Sequence, residues 1–256
     1  MIDLDYKSSL SLKRDTKGIR MSRTTMQVFA QRLVQAFEKE LTSTKYTWRS
    51  FQSVSIDRSW TREVQIVVQD VRQYDSEFPG SAESVLYMRQ KVANAWACSE
   101  SLETRIQLAR FVIETWGGIR NSPQTIHRYV LQAPEVLCKG SSGISSKSKL
   151  LAAIDPKNYF VYDSRIYVLL NYFLSHTCCN DFELQGRDFP RVQGRSRAYK
   201  DFVKSYKPPK KHFTYIEYCM LIKELGLLLG DRFQGDRLQL VEMALFNIAR
   251  EESYKT

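Results

Sequence analysis

The chain has 256 residues, of which 43% are hydrophobic and 26% charged, with only 11 glycines and 7 prolines. This composition is that of an ordinary globular protein and excludes a disordered or fibrous chain. Lys and Arg (38) outnumber Asp and Glu (28), and the net charge of +10 favours a polyanionic partner such as nucleic acid, with solubility alone as the alternative.

The five cysteines form neither a CxxC pair nor a zinc-ligand spacing with histidines, so we expect no metal site and no cofactor. No stretch approaches ~20 apolar residues, so we expect no membrane span. The N-terminus does not resemble a cleaved apolar signal, and the cysteines suit a reducing compartment, which predicts a cytoplasmic protein.

Residues 1–21 are polar and basic without periodicity, which predicts a flexible arm. From Ser22, apolar residues recur at three and four positions and predict a helix with one buried face. The members of this stripe are Met26, Phe29, Leu33, Phe37 and Leu41. Further helices are predicted at about 61–74, 82–98 and 101–115, and strand signals are scarce.

The Gly117–Gly118 pair is expected to end the helix at 101–115, because glycine accepts the left-handed conformation of many helix ends. The Ser122–Pro123 pair predicts the N-cap and first turn of another helix. In the corner between them, Trp116 is a weak candidate for the wall of a base pocket, and Asn121 for a DNA contact. Core packing is the favoured alternative for Trp116.

Residues 134–154 predict a helical hairpin, in which a short helix enters a Gly-Ser-Ser-Gly turn at 140–143 and a second helix begins near Ser145 or Ser146. After a loop and an apolar stretch, Asp163 is placed to cap a third helix. The glycine-bearing turn and the positive end of the second helix would suit a DNA phosphate, and a plain helix-helix turn is the alternative.

A basic loop is predicted from Arg187 to Lys211, followed by helices at about 215–229 and 237–250. Arg195 and Arg197 are candidates for contacts with the DNA backbone, although charge runs are more often solvated surface.

The segment from Pro134 to Phe173 resembles the helix-hairpin-helix DNA glycosylases, especially their 8-oxoguanine branch. In that family the hairpin ends in a Gly-apolar-Gly-x-Lys pattern, and a catalytic aspartate follows at the start of the next helix. Here GISSK supplies Gly143 and Lys147, and VYDSR supplies Asp163.

Two residues of this segment depart from the family pattern. Ser145 stands at the second glycine, and Arg165 stands where many members carry His two positions after the aspartate. The cysteine spacing of an iron-sulfur cluster is missing, which indicates the cluster-free branch. The resemblance implies a mainly α, two-lobed glycosylase-like fold over residues 22–256, with the helix-hairpin-helix motif at about 134–154.

The resemblance also implies an enzyme that flips a modified base out of double-stranded DNA and excises it, leaving an abasic site. Asp163 would stabilise the positive charge on the sugar as the base departs. Lys147 would either attack the sugar carbon, adding AP-lyase activity, or hold a phosphate, and both roles are open. Lys149 points to another helix face and is the weaker candidate.

The remaining site candidates are DNA contacts and one aromatic side chain. Phe246 on the last helix is a weak candidate for stacking on the extruded base, with core packing as its alternative. The expected DNA contacts are Gly140, Gly143, Ser145, Ser146, Lys149, Arg165, Asn121, Arg195 and Arg197.

Oxidised guanine and a hypermodified base of phage DNA, the latter in antiviral defence, are both open as substrates, and we expect a monomer. A non-catalytic helix-hairpin-helix module that binds nucleic acid is the first alternative to an enzyme. A scaffold subunit whose basic surface is incidental is the second.

Overall fold

A computed structural model describes residues 23–42, 50–139, 142–178, 184–194, 197–209, 211–233 and 237–251. Over these ranges the protein is mainly helical, as predicted. The helices are α1 (Arg23–Thr42), α2 (Arg62–Glu77), α3 (Ala82–Cys98), α4 (Leu102–Arg110), α5 (Pro123–Val130), α6 (Pro134–Leu137), α7 (Ile144–Ile154), α8 (Ser164–His176), α9 (Arg197–Ser205), α10 (Tyr215–Leu229) and α11 (Leu238–Glu251). Two short parallel strands, β1 (Arg187–Asp188) and β2 (Lys211–His212), pair Arg187 with Lys211 and Asp188 with His212.

The apolar stripe predicted for α1 is confirmed as part of the core. Its five members are buried, and α1 packs along α10 and α11. The helix is kinked at Phe37, where the backbone leaves the helical conformation. The N-terminal arm predicted for residues 1–21 lies outside the described residues.

The helix predicted at 101–115 is present but changes its winding. Regular α-helix ends at Arg110, and the chain continues through Phe111–Trp116 in wider π-type turns. Gly118 then adopts a positive φ of 66°, the left-handed conformation expected of a glycine at a helix end. The predicted cap of α5 is confirmed, because the side chain of Ser122 accepts a hydrogen bond from the backbone N–H of Thr125.

The prediction of a basic loop from Arg187 to Lys211 is wrong, because β1 and α9 lie within this range and β2 begins at its last residue. Tyr199 and Phe202 of α9 are buried, and their ring centres lie 6.1 and 6.0 Å from that of Tyr167 on α8. The burial of two aromatic rings one turn apart supplies the hydrophobic face that a short helix needs.

The helices that carry the candidate site form one contiguous packing arrangement. Helix α7 packs against α3 and the π-type segment, and α8 packs against α11. A contact between α3 and α11 joins these groups. Within the described ranges, every helix is too short or too polar to span a lipid bilayer.

Candidate active site

Asp163 is fixed at the start of α8, as predicted. Its Oδ1 accepts hydrogen bonds from the backbone N–H groups of Arg165 at 2.8 Å and Ile166 at 3.4 Å. The residue before it, Tyr162, is hydrogen-bonded to α7. The hydroxyl of Ser148 on α7 lies 3.0 Å from both the backbone N and the backbone O of Tyr162. The cap and this bond together hold Asp163 beside the hairpin helix.

Arg165 covers the outer side of the Asp163 carboxylate. Its Nε and Nη2 donate to Asp163 Oδ2 at 3.2 and 3.0 Å, and its guanidinium lies 5.3 Å from the ring centre of Phe246. The Asp163 side chain is only 11% exposed, whereas the Arg165 side chain is 37% exposed. Any ligand that reaches the carboxylate therefore competes with Arg165. Phe246 itself is buried, in keeping with the core-packing alternative.

Lys147 and Lys149 lie on different faces of α7, and they have different neighbours. The Lys147 amine is 5.9 Å from the ring centre of Tyr129. Burial and the positive charge of Arg128 lower the pKa of Lys147, while Cys138 raises it. The structure therefore places Lys147 towards α5 and the hairpin rather than with Asp163.

Lys149 is the lysine that shares the surroundings of Asp163. It is 3% exposed, and its amine lies 3.4 Å from the hydroxyl of Ser145. Burial lowers the pKa of Lys149, the charges of Asp163 and Glu242 raise it, and the charges of Arg165 and Arg89 lower it. The Gly-apolar-Gly-x-Lys pattern indicated Lys147 as the candidate. Helical spacing alone could not show whether the face with Lys147 or the face with Lys149 points into the protein.

A buried ion pair behind Lys149 was not anticipated from the sequence. Arg89 on α3 donates to both carboxylate oxygens of Glu242 on α11, at 2.7 and 3.0 Å, and to the side-chain oxygen of Gln239 at 3.0 Å. Both charged residues are 1% exposed. The guanidinium also lies 5.6 Å from the ring centre of Trp116, which is buried and so placed in the core.

The start of α7 carries several of the predicted DNA contacts. Gly143 is the N-cap, with a φ of 67°, and α7 begins directly after it, slightly earlier than predicted. Ser146 is buried and accepts a hydrogen bond from the side-chain amide of Asn121 at 3.0 Å, which ties the Trp116–Asn121 corner to the hairpin. Gly143 is exposed and Ser145 is partly exposed. Gly140 lies outside the described residues.

Two arginines of the basic segment, Arg195 and Arg197, were predicted to contact the DNA backbone. Both lie far from Asp163 in the sequence, and the one that the structure describes is exposed to solvent. Arg197 at the start of α9 is 97% exposed and pairs with Asp201 at 3.6 Å. Arg195 lies outside the described residues. Roles for both arginines in DNA binding stay predictions.

Comparison of the chain with protein-family models, curated proteins and solved structures found no match. Among the described side chains, no three His, Cys, Asp or Glu residues are grouped closely enough to hold a metal ion. The charged groups at and beside the start of α8 are the Asp163 carboxylate, Arg165 and Lys149.

The close packing around Gly117 gives a test of how rigid the corner beside the Lys149 stem is. A methyl group at position 117 would stand 2.5 Å from Lys149 Cδ and 2.6 Å from the backbone oxygen of Ile113. We expect Gly117→Ala to lower the free energy of unfolding by about 1–3 kcal/mol, as overpacking does in other cores. Urea denaturation monitored by circular dichroism measures this loss.

Gly118→Ala is the matched control for this variant. Position 118 has a positive φ but no atom within 4 Å of an added methyl group, so only backbone strain of about 1 kcal/mol opposes the substitution. A Gly117 variant as stable as the wild type would show that this corner yields to the added methyl group and is not tightly packed.

Proposed function

We propose that the protein is a DNA N-glycosylase, which flips a modified base out of the duplex and excises it to leave an abasic site. The observation that carries the proposal is the Asp163 carboxylate, which caps the start of α8 directly after Tyr162, whose backbone is bonded to Ser148 of α7, in the order that the family resemblance requires. All its described hydrogen bonds come from N–H donors, so the group is suited to stabilising positive charge rather than donating a proton.

The start of α7 supports a DNA partner. The N-cap of α7 is Gly143, which has no side chain to satisfy the backbone N–H groups of the first turn, and these groups would be the ones that bind an anion. Lys147 lies at this end, and the positive charge of Arg128 on α5 acts on it. A phosphate bound here would place the DNA backbone next to the segment that leads to Asp163, and the net charge of +10 would favour the association.

The proposed reaction begins with extrusion of the target nucleotide, because the glycosidic carbon is out of reach inside a base-paired duplex. The bond between C1′ and the base then breaks, and its electron pair leaves with the base, which takes up a proton. Asp163 stabilises the positive charge that develops on the sugar. A nucleophile forms the new bond to C1′; if it is water, it loses a proton and the product is an abasic site.

Incubation with a panel of DNA duplexes tests the proposal. The panel contains unmodified DNA, DNA with oxidised guanine and glucosylated phage DNA, and abasic sites are counted as alkali-sensitive strand breaks. We expect breaks in at least one modified DNA and none above background in the unmodified duplex. The panel also decides between the two classes of substrate base.

A non-catalytic nucleic-acid-binding module is the second candidate, because the Asp163 carboxylate already has a complete set of structural partners in the cap and Arg165. This candidate predicts DNA binding that weakens steeply with salt, since released counterions drive it. Salt-sensitive binding without an abasic product from any duplex would favour the module and contradict the glycosylase.

A further inference from the structure

We propose that Lys149, rather than Lys147, is the amine that acts with Asp163, and that it forms a Schiff base with the sugar carbon C1′. This inference rests on the proposed function, because it assigns the nucleophile of the same site. The substrate of the Lys149 amine is the aldehyde form of a deoxyribose that has lost its base. The base is either excised by this protein or lost beforehand.

The first support is the burial of the Lys149 amine without a close counter-ion. The residue is 3% exposed, and its one described hydrogen-bond partner is the neutral hydroxyl of Ser145 at 3.4 Å. Among the residues that the structure describes, no carboxylate oxygen lies within salt-bridge distance of this amine. An unpaired buried ammonium opposes folding, so a lysine in this position indicates chemistry rather than stability.

The second support is the direction in which Lys149 points. Successive helical residues are about 100° apart, so the two lysines of α7 face nearly opposite ways. The intervening Ser148 is bonded to Tyr162, next to Asp163. The Lys149 stem passes Gly117, where even a methyl group would collide with it. The charge of Asp163 acts on Lys149, whereas Arg128 and Cys138 act on Lys147, so Lys149 is the α7 lysine in the surroundings of Asp163.

Burial, rather than the surrounding charges, favours the neutral, nucleophilic form of the amine. The groups that act on it are Asp163 and Arg165 at the start of α8, Glu242 on α11 and Arg89 on α3, two of each sign. Burial is the largest effect, and it lowers the pKa of Lys149. An amine with a lowered pKa is unprotonated more often at neutral pH and can attack carbon.

The proposed step conserves atoms and charge. The lone pair of Lys149 Nζ forms a bond to C1′, and the bond from C1′ to the base breaks with its electron pair on the base, which takes the proton lost by nitrogen. The sugar ring then opens as the bond from C1′ to O4′ breaks, O4′ takes up a proton from solvent, and nitrogen and C1′ share a double bond. With a preformed abasic aldehyde, the same amine condenses and releases one water.

The sugar reaches this amine only after the surface above it rearranges, because Lys149 is almost fully covered. Arg165 acts on the amine from the start of α8, and its side chain is the more exposed member of the pair with Asp163. A DNA phosphate can compete for that guanidinium, since arginine forms paired hydrogen bonds with phosphate as it does with carboxylate.

Reductive trapping on a duplex with a preformed abasic site tests the assignment without requiring base excision. Wild-type protein is mixed with this duplex and sodium borohydride, and the modified peptide is identified by mass spectrometry. We expect the adduct on Lys149. Lys149→Met should lose trapping by about 100-fold or more, the scale on which removing a nucleophile acts. Lys147→Met should weaken DNA binding but keep the adduct.

Thermal unfolding supplies a second readout that does not depend on DNA. Lys149→Met fills the same space without a charge, so we expect its Tm to rise by about 2–4 °C or more. Lys223→Met, which replaces a lysine bonded to Asn158 on the surface, should leave the Tm nearly unchanged. Because the unfolded chain binds more protons than folded Lys149, the advantage of Lys149→Met should shrink as pH rises towards 10.5.

The outcomes separate this inference from the proposed function. An adduct on Lys147, or base excision without an adduct on Lys149, would overturn the inference and leave the glycosylase standing. An adduct on Lys149 with the abasic duplex, but no base released from any modified DNA, would support the inference and contradict the glycosylase. The peptide mapping uses wild-type protein, so it decides the question even if a variant fails to fold.

Discussion

Asp163→Asn is expected to lower the rate of base release by at least about 100-fold while DNA binding is largely retained. The side-chain oxygen of asparagine can accept the same hydrogen bonds from the backbone of Arg165 and Ile166, so α8 keeps its cap. The variant loses the negative charge that would stabilise the sugar cation. Single-turnover measurement of abasic sites, beside a binding titration at fixed salt, separates these two effects.

Two further variants isolate the charge of Asp163 from its structural role. Asp163→Ala removes the cap as well, and we expect it to cost about 0.5–2 kcal/mol of stability in addition to the activity. Ser122→Ala removes the cap of α5 at a similar cost in stability, and it should leave the rate of base release close to that of the wild type. If Asp163→Asn released base as fast as the wild type, Asp163 would not be the catalytic carboxylate.

The helices could be predicted from the sequence where local signals agree. The bounds of α3 match the prediction, and Ser81 caps it by accepting a hydrogen bond from the N–H of Ser84. The bounds of α10 also match, because a Thr214–Glu217 capping box begins it and Gly230 ends it with a φ of 91°. Such signals lie within a few residues of the helix ends and do not depend on the rest of the fold.

The capping role of Asp163 was predictable for the same reason, whereas the surroundings of the two α7 lysines were not. The contacts that bury Lys149 come from Gly117 and from charges on α3, α8 and α11. Nothing local to the hairpin distinguishes an inward lysine from one that lies over Tyr129. The helix α9 was missed because basic residues recur throughout the segment around it, and the partner that buries its aromatic face, Tyr167, lies on another helix.

The ion pair between Arg89 and Glu242 joins residues that are far apart in the chain, and no local sequence pattern predicts it. We expect Arg89→Met to lower the free energy of unfolding by about 3–5 kcal/mol, because it leaves the Glu242 carboxylate buried without its partner. Chemical denaturation at neutral pH measures the loss. Lys91→Met is the matched control on the same helix, since its pair with Asp70 is about one-third exposed and should be worth about 0–1 kcal/mol.

The double variant Arg89→Met with Glu242→Met tests whether the loss comes from the stranded charge. Replacing both partners removes the desolvation cost together with the attraction, so we expect the double variant to be more stable than Arg89→Met alone. If the double variant were as unstable as Arg89→Met, this result would show instead that the ion pair makes a net contribution to the stability of the fold. Because Arg89 and Glu242 act with opposite sign on the pKa of Lys149, removing both should disturb that amine less than removing either one.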